Sequence, residues 1–240
     1  MKQKPIIETC YSTALYPFYH RTDAIVVVID ILRASSSICA AFENGVTAIY
    51  PAAGIKEALN LKNNYGWLIA AERDGLKIDE ADIGNSPHYF SADRIENKTI
   101  IYSTTNGTKA IQMTIGSYET LIGAFSNLNA LTNYLLEQNK NILLFCSGWK
   151  QKFNIEDTLF AGALASTLIE KENFDIDCDS TIAAMDLWNI AKTDLKGYAK
   201  KIAWTKRLDM PDVFEYCLTL NSTKHIPYYD KNQILSKKIR

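Results

Sequence analysis

Four clusters of polar residues contain the side chains able to do chemistry, and each follows a short apolar run. The first is Asp30 with Arg33 and the hydroxyls of Ser35, Ser36 and Ser37, placed directly after the five apolar residues 25–29. The second follows "WLIAA" and reads "ERDGLKIDEADIGNSP", which contributes Glu72, Arg73, Asp82, Asn85 and Ser86. The third follows "TIIY" and reads "STTNGT": Ser103, Thr104, Thr105, Asn106, Gly107 and Thr108. The fourth follows "NILLF", reads "CSGWKQKFNIED" and ends in Glu156 and Asp157.

A carboxylate next to five apolar residues is costly to bury unless a cation or a donor satisfies it, which makes Asp30 the leading catalytic candidate. The hydroxyl-rich "STTNGT", with a glycine near a helix start, offers N–H and O–H donors to an anion. Taken alone it also suits an ordinary turn with a Ser or Thr N-cap. The second hydroxyl loop, "RASSS", favours the anion reading. Arg33 adds a planar fork of donors matched to phosphate or sulfonate oxygens, although a single arginine there also suits a structural ion pair. Asp30, Glu72, Asp82 and Asp157, if they converge, form a hard oxygen site of the kind Mg2+ uses. Singly, each is equally a cap or a surface charge, and Asp157 is placed as a first-turn helix acid. "DIGNSP" serves a turn and a ligand loop equally well.

Other chemistries lack their residues. His20, His88 and His225 form no HxxxH or HExxH pair, and there is no GxSxG, GxxxxGK[ST] or GxGxxG. Zinc hydrolases, α/β-hydrolases, P-loop enzymes and dinucleotide enzymes are therefore disfavoured. Cys146 stands at a strand end with no histidine near it in sequence, and reads as a buried thiol rather than a nucleophile. The five cysteines form no CxxC pair and no even disulfide framework, so reduced thiols are expected.

The chain has 240 residues, 47% of them hydrophobic and 22% charged, enough for one sizeable core. Its 26 Lys and Arg against 27 Asp and Glu give a net charge of -1, which provides no field for nucleic acid or an anionic membrane. Any anion must be small and locally bound. The first twenty residues are broken by Pro5 and Pro17, and no apolar run reaches the ~18 residues of a membrane span. A cytoplasmic protein of one domain, residues 1–240, is the expectation.

Each of the four clusters follows a strand-like run. Short apolar runs at 24–31, 48–52, 67–72, 98–104, 120–124 and 141–148 are too brief for helices and too uniformly apolar for one-sided strands. Helix-like segments lie between them, with Gly45, Gly66 and Gly116 where C-caps belong. The alternation predicts an α/β fold with a largely parallel sheet, and that class binds ligands at the carboxyl ends of strands. Beyond about residue 173 the pattern changes: 186–208 and 211–220 look helical, and the tail "HIPYYDKNQILSKKIR" looks irregular.

The ordered motifs "VVVIDILRASSSICAAFENG", "ERDGLKIDEADIGNSP", "STTNGTKAI" and "CSGWKQKFNIEDTLFAGAL" resemble the 2-phosphosulfolactate phosphatase family over residues 23–170. The resemblance implies a three-layer α/β/α fold with a mixed, largely parallel sheet, and a Mg2+-dependent hydrolysis of 2-phospho-3-sulfolactate to sulfolactate and phosphate. It implies catalytic roles for Asp30, Arg33, Glu72 and Arg73, and metal ligation by Asp30, Glu72, Asp82 and Asp157. It also implies substrate contacts from Ser35 to Ser37, Asn85, Ser86 and the 103–108 loop, a small phosphorylated acid as partner and, more weakly, a homo-oligomer. This chain departs from the family pattern at Ala71, where glycine is usual, and at Glu80-Ala81, where Gly-Phe is usual. Residues 173–240 match no motif. A member that binds a phosphorylated acid without turnover is the alternative reading.

Overall fold

The computed structural model describes residues 4–171, 173–202 and 211–238. Among these residues the strands are β1 (Ile6–Cys10), β2 (Ala24–Ile29), β3 (Ala48–Pro51), β4 (Leu68–Arg73), β5 (Leu76–Lys77), β6 (Thr99–Ser103), β7 (Glu119–Gly123), β8 (Asn141–Cys146), β9 (Asp175–Ile176), β10 (His225–Asp230) and β11 (Gln233–Lys238). The helices are α1 (Tyr16–Tyr19), α2 (Ala34–Glu43), α3 (Ile55–Tyr65), α4 (Ala92–Ile95), α5 (Gly107–Met113), α6 (Leu128–Gln138), α7 (Ile155–Ile169), α8 (Asp179–Ala191), α9 (Leu195–Ala199) and α10 (Pro211–Cys217).

All the strands join one mixed sheet in the order β5-β4-β6-β3-β11-β10-β7-β2-β8-β1-β9. Two parallel blocks, β4-β6-β3 and β7-β2-β8-β1-β9, are joined by the antiparallel hairpin β10-β11. Three antiparallel steps separate β3 from β7, so the two blocks run in opposite senses within the sheet. β2 shows why its sequence is uniformly apolar: every residue from Ala24 to Ile29 is buried, since helices cover both faces. One core layer joins β2, β8 and β7 to α6 and α7 through Val27, Leu144 and Phe160; the other joins them to α2 through Val26, Ile38 and Phe145. This is the expected three-layer α/β/α arrangement. Outside it, α8 lies against α7 so closely that a Cβ at Gly162 would stand 2.0 Å from the Ala184 carbonyl oxygen.

The six expected strands are all present, as β2, β3, β4, β6, β7 and β8, and so are the helices expected between them, α2, α3, α5 and α6. The C-terminal reading needs correction. The tail is not irregular: residues 225–238 form the β10–β11 hairpin, turned at Lys231 and Asn232 with φ of 46° and 70°. Pro227 argues against a strand in sequence, but β10 meets β7 only at Tyr228 and Tyr229, so the missing proline N–H costs no bond on that side. The expected helix at 186–208 breaks after Ala191 and resumes as α9, with the Asp194 side chain accepting the Gly197 N–H at 2.9 Å. Residues 203–208 of that segment lie outside the described residues. No described helix is long and apolar enough to cross a membrane.

Candidate active site

Asp30 follows the last residue of β2 and is 8% exposed. Its backbone N–H donates to Ser35 Oγ at 2.8 Å, and its Oδ1 accepts the Ala34 N–H at 3.2 Å, so the carboxylate is fixed by the start of α2. Oδ2 faces Gly107 at the start of α5, where a Cβ would come within 2.9 Å of it and 2.5 Å of the Ala34 Cβ. The close approach of two helix starts, one from each parallel block, therefore depends on a glycine at 107.

The three serines serve the backbone. Ser35 Oγ donates to the Val28 carbonyl at 3.3 Å, Ser36 Oγ to Ile31 at 2.8 Å and Ser37 Oγ to Asn85 at 3.1 Å. Their expected contact with an anion gives way to holding the turn after β2 and the 85–86 loop in place, because each hydroxyl lies beside a carbonyl that needs a donor. The "STTNGT" loop behaves similarly. Thr108 and Thr104 bond each other, with the Thr108 N–H donating to Thr104 Oγ1 at 3.1 Å and Thr108 Oγ1 donating to the Thr104 carbonyl at 2.9 Å. Ser103 Oγ accepts from Arg73 at 3.0 Å, and Thr105 Oγ1 accepts the Asp74 N–H at 3.2 Å. Asn106 alone of this loop lines the cleft described below.

The carboxylates separate into kinds. Glu72 spends both oxygens on backbone: Oε1 accepts the Thr105 N–H at 2.7 Å and Oε2 the Gly75 N–H at 2.6 Å. Asp157, in the first turn of α7, accepts the Ile31 N–H at 2.8 Å on Oδ1, and Asn154 Nδ2, Ser147 Oγ and the Gly148 N–H on Oδ2. It ties the loop after β8 to the loop after β2. Asp82 stands apart from the cluster: Oδ1 pairs with Lys62 at 2.6 Å and Oδ2 accepts the Ile69 N–H at 2.8 Å. Ile69 lies three residues back from Glu72, roughly 10 Å along β4, so the expected place of Asp82 among the metal ligands is corrected to a surface tie. Glu156, beside Asp157, is a buried acid to which the sequence reading gave no role. It is 3% exposed, its Oε1 accepts from Asn154 at 3.2 Å, and its Oε2 is buried with no hydrogen-bond partner. The apolar context of the helix hid it, since an acid in a first turn is ordinary there.

Burial, then the Asp157 and Glu72 charges, push the Asp30 carboxyl up to about 7. Burial and the Asp30 charge do the same to Glu156, and burial and the Glu156 charge to Asp157, both also up to about 7. Three acids held this way call for protons or a cation to relieve them.

Above Asp30, a narrow cleft of about 20 Å³ is lined by Asp30, Leu32, Arg33, Glu72, Gly75, Asn85, Asn106 and Trp149. A second, larger hollow of about 420 Å³ lies at the amino ends of β1, β2 and β8 beside Lys4, Arg21 and Lys140, away from the acids. Arg33 is 4% exposed and donates to Ser86 Oγ at 2.7 Å and to the Gly75 carbonyl. Arg73 turns from the cleft to Ser103 and the Glu72 carbonyl. Asn85 is fixed by the Tyr102 hydroxyl, whose phenol burial pushes well above its ordinary range, so it remains a donor. Tyr102, Trp149 and Leu32 carry no sequence signal for a site. Cys146 is buried, and burial followed by the Asp157 charge pushes its thiol well up, against any nucleophilic role. All five cysteines are free.

The profile of the 2-phosphosulpholactate phosphatase family matches residues 10–232. The chain belongs to the 2-phosphosulfolactate phosphatase family. It is 32% identical over 208 residues, 84% of this chain and 86% of the relative, to a "Probable 2-phosphosulfolactate phosphatase" of Caldanaerobacter subterraneus. A protein of the same description from Clostridium acetobutylicum is 33% identical over 216 residues, covering 87% and 91%, and one from Thermotoga petrophila is 37% identical over 204 residues, covering 84% and 87%. The family places this fold among phosphoric monoester hydrolases, and the match runs through β10, well beyond the motifs of residues 23–170.

The donor set of the cleft suits a hard cation. Asp30 and Glu72 are the acids that line it, and behind them the buried Oε2 of Glu156, whose charge interacts with Asp30, has no hydrogen-bond partner. Among the described residues no three of His, Cys, Asp and Glu converge as a finished cage. Mg2+ does not need one, because it is commonly held by one or two carboxylates with water and substrate oxygens completing its shell.

Proposed function

We propose that this protein is a Mg2+-dependent phosphatase of a small acidic phosphate monoester, 2-phospho-3-sulfolactate being the substrate its family membership favours. The observation that carries the reading is the buried carboxyl of Asp30 in a cleft that Arg33 and Glu72 also line.

A phosphate monoester brings about two negative charges at neutral pH, and these cannot approach the acids unaided. Mg2+, held by Asp30 with water and substrate oxygens, would supply the charge that offsets phosphoryl oxygens and the leaving oxygen. The chain's own residues do the rest. Arg33 sets a fixed guanidinium at the cleft wall, oriented through Ser86 and the Gly75 carbonyl. Asn85 and Asn106 line the cleft, and Leu32 and Trp149 narrow its access to water. Glu72 and Asp157 act through other groups, the first by fixing the Gly75 and Thr105 backbone and the second by fixing the Ile31 and Gly148 backbone. Whether an Asp30 oxygen or a water attacks phosphorus, Asp30 is then held as the carboxylate, so the leaving alkoxide takes its proton from water.

Phosphate release from a panel of phosphorylated hydroxy acids, with Mg2+ and with EDTA, tests the reading. Mg2+-dependent release is expected, with Mn2+ as the effective replacement. Binding of these acids without release of phosphate would favour a non-catalytic member instead.

A further inference from the structure

The mouth of the cleft is formed by two tight turns, one from each parallel block. In the first, Arg73 and Leu76 pair across Asp74 and Gly75, which have φ of 50° and 88°. It is fastened to the floor: the Gly75 N–H donates to Glu72, the Gly75 carbonyl accepts from Arg33 and the Asp74 N–H donates to Thr105. In the second, Trp149 and Lys152 exchange backbone hydrogen bonds of 2.9 Å each way around Lys150 and Gln151. Here φ is 48° and 66°, left-handed at two successive residues that are neither glycine nor asparagine. Such a turn favours Asn-Gly, and Lys-Gln holds it only at a cost in strain.

That costly backbone places Lys150 at the tip, where its Nζ lies 5.4 Å from the Trp149 ring centre and 2.9 Å from Asp74 Oδ1. The two side chains are 57% and 66% exposed, so the pair adds little stability and is exchanged cheaply. Meanwhile the arginines below are engaged, Arg33 with Ser86 and Gly75, Arg73 with Ser103 and Glu72. Resting on the phosphatase reading above, we infer that Lys150 is a specificity-determining residue: it leaves Asp74 to bind the sulfonate of the substrate at the cleft mouth.

Kinetics on 2-phospho-3-sulfolactate and on 2-phospholactate, which lacks the sulfonate, test this. Lys150→Ala should raise KM for the sulfonated substrate by about tenfold to a hundredfold, the scale of one charge-assisted hydrogen bond, with kcat changed far less. KM for 2-phospholactate should move little, and Lys150→Arg should restore most of the loss. Asp74→Asn, which frees Lys150, should lower KM for the sulfonated substrate. If the pair is only a clasp between turns, Lys150→Ala and Asp74→Asn behave alike and affect both substrates equally, which overturns the inference while leaving the phosphatase reading intact. Failure of the unaltered protein to hydrolyse either substrate overturns both.

Discussion

Asp30→Asn keeps the shape of the side chain and removes its charge, so if Asp30 serves the cation or the phosphorus, kcat should fall by at least ~100-fold with little change in melting temperature. Arg33→Lys keeps charge but loses the planar fork that now spans Ser86 and Gly75, and should lower kcat/KM more than it lowers stability. Steady-state kinetics and thermal melts on the same samples check both; an Asp30→Asn protein that melts early yet turns over normally would remove Asp30 from the mechanism. The raised carboxyls give a pH signature. An acid whose folded pKa is above its unfolded value holds more protons in the native state, so stability falls as pH rises from the ordinary carboxylate range towards about 7. Melts in chelator should therefore drop between about pH 4 and about pH 7, Glu156→Gln should flatten that slope, and Mg2+ should stabilise most at the upper end. A slope unchanged by Glu156→Gln would show that the burial of Glu156 is not what sets it.

At the scale of elements, the site depends on helix starts meeting strand ends. Gly107→Ala would gain about 1 kcal/mol of helix propensity, but its Cβ would meet Ala34 at 2.5 Å and Asp30 at 2.9 Å. Overpacking of that kind costs about 1–3 kcal/mol, so the variant should melt lower and lose activity together, as differential scanning calorimetry and an assay would report. The strands and helices from β2 to α7, other than the short ones, were legible in sequence because two-sided burial leaves uniform apolar runs such as 24–29. Which polar side chains face the cleft was legible only in part. Asp30, Arg33, Asn85 and Asn106 line it as the motifs suggest, whereas Ser35, Ser36, Ser37, Thr104 and Thr108 turn to nearby backbone groups. A hydroxyl donates as readily to a neighbouring carbonyl as to an anion, and residue type does not say which is nearer. Trp149 and Tyr102 were hidden because an aromatic side chain reads as core wherever it is placed.

For the whole molecule, the C-terminal hairpin is the part whose role the sequence concealed. β10 and β11 lie between the two parallel blocks and are read as a tail only because Pro227 and the charged turn interrupt the pattern. Ile234 is fully buried and pairs with Ile49 at the junction with β3. Ile234→Ala should therefore destabilise by about 2–4 kcal/mol, and urea unfolding would measure it; a loss below about 0.5 kcal/mol, the scale of an exposed substitution, would show that the hairpin is peripheral. The central claim concerns what the joined blocks enclose: buried acids, an arginine wall and a cation acting on a phosphorylated acid. It is tested most directly by phosphate release from 2-phospho-3-sulfolactate, measured on the unaltered protein with Mg2+, on the same protein in EDTA, and on Asp30→Asn with Mg2+. The account predicts release in the first sample, none in the second and at least ~100-fold less in the third. Equal release in all three would contradict it.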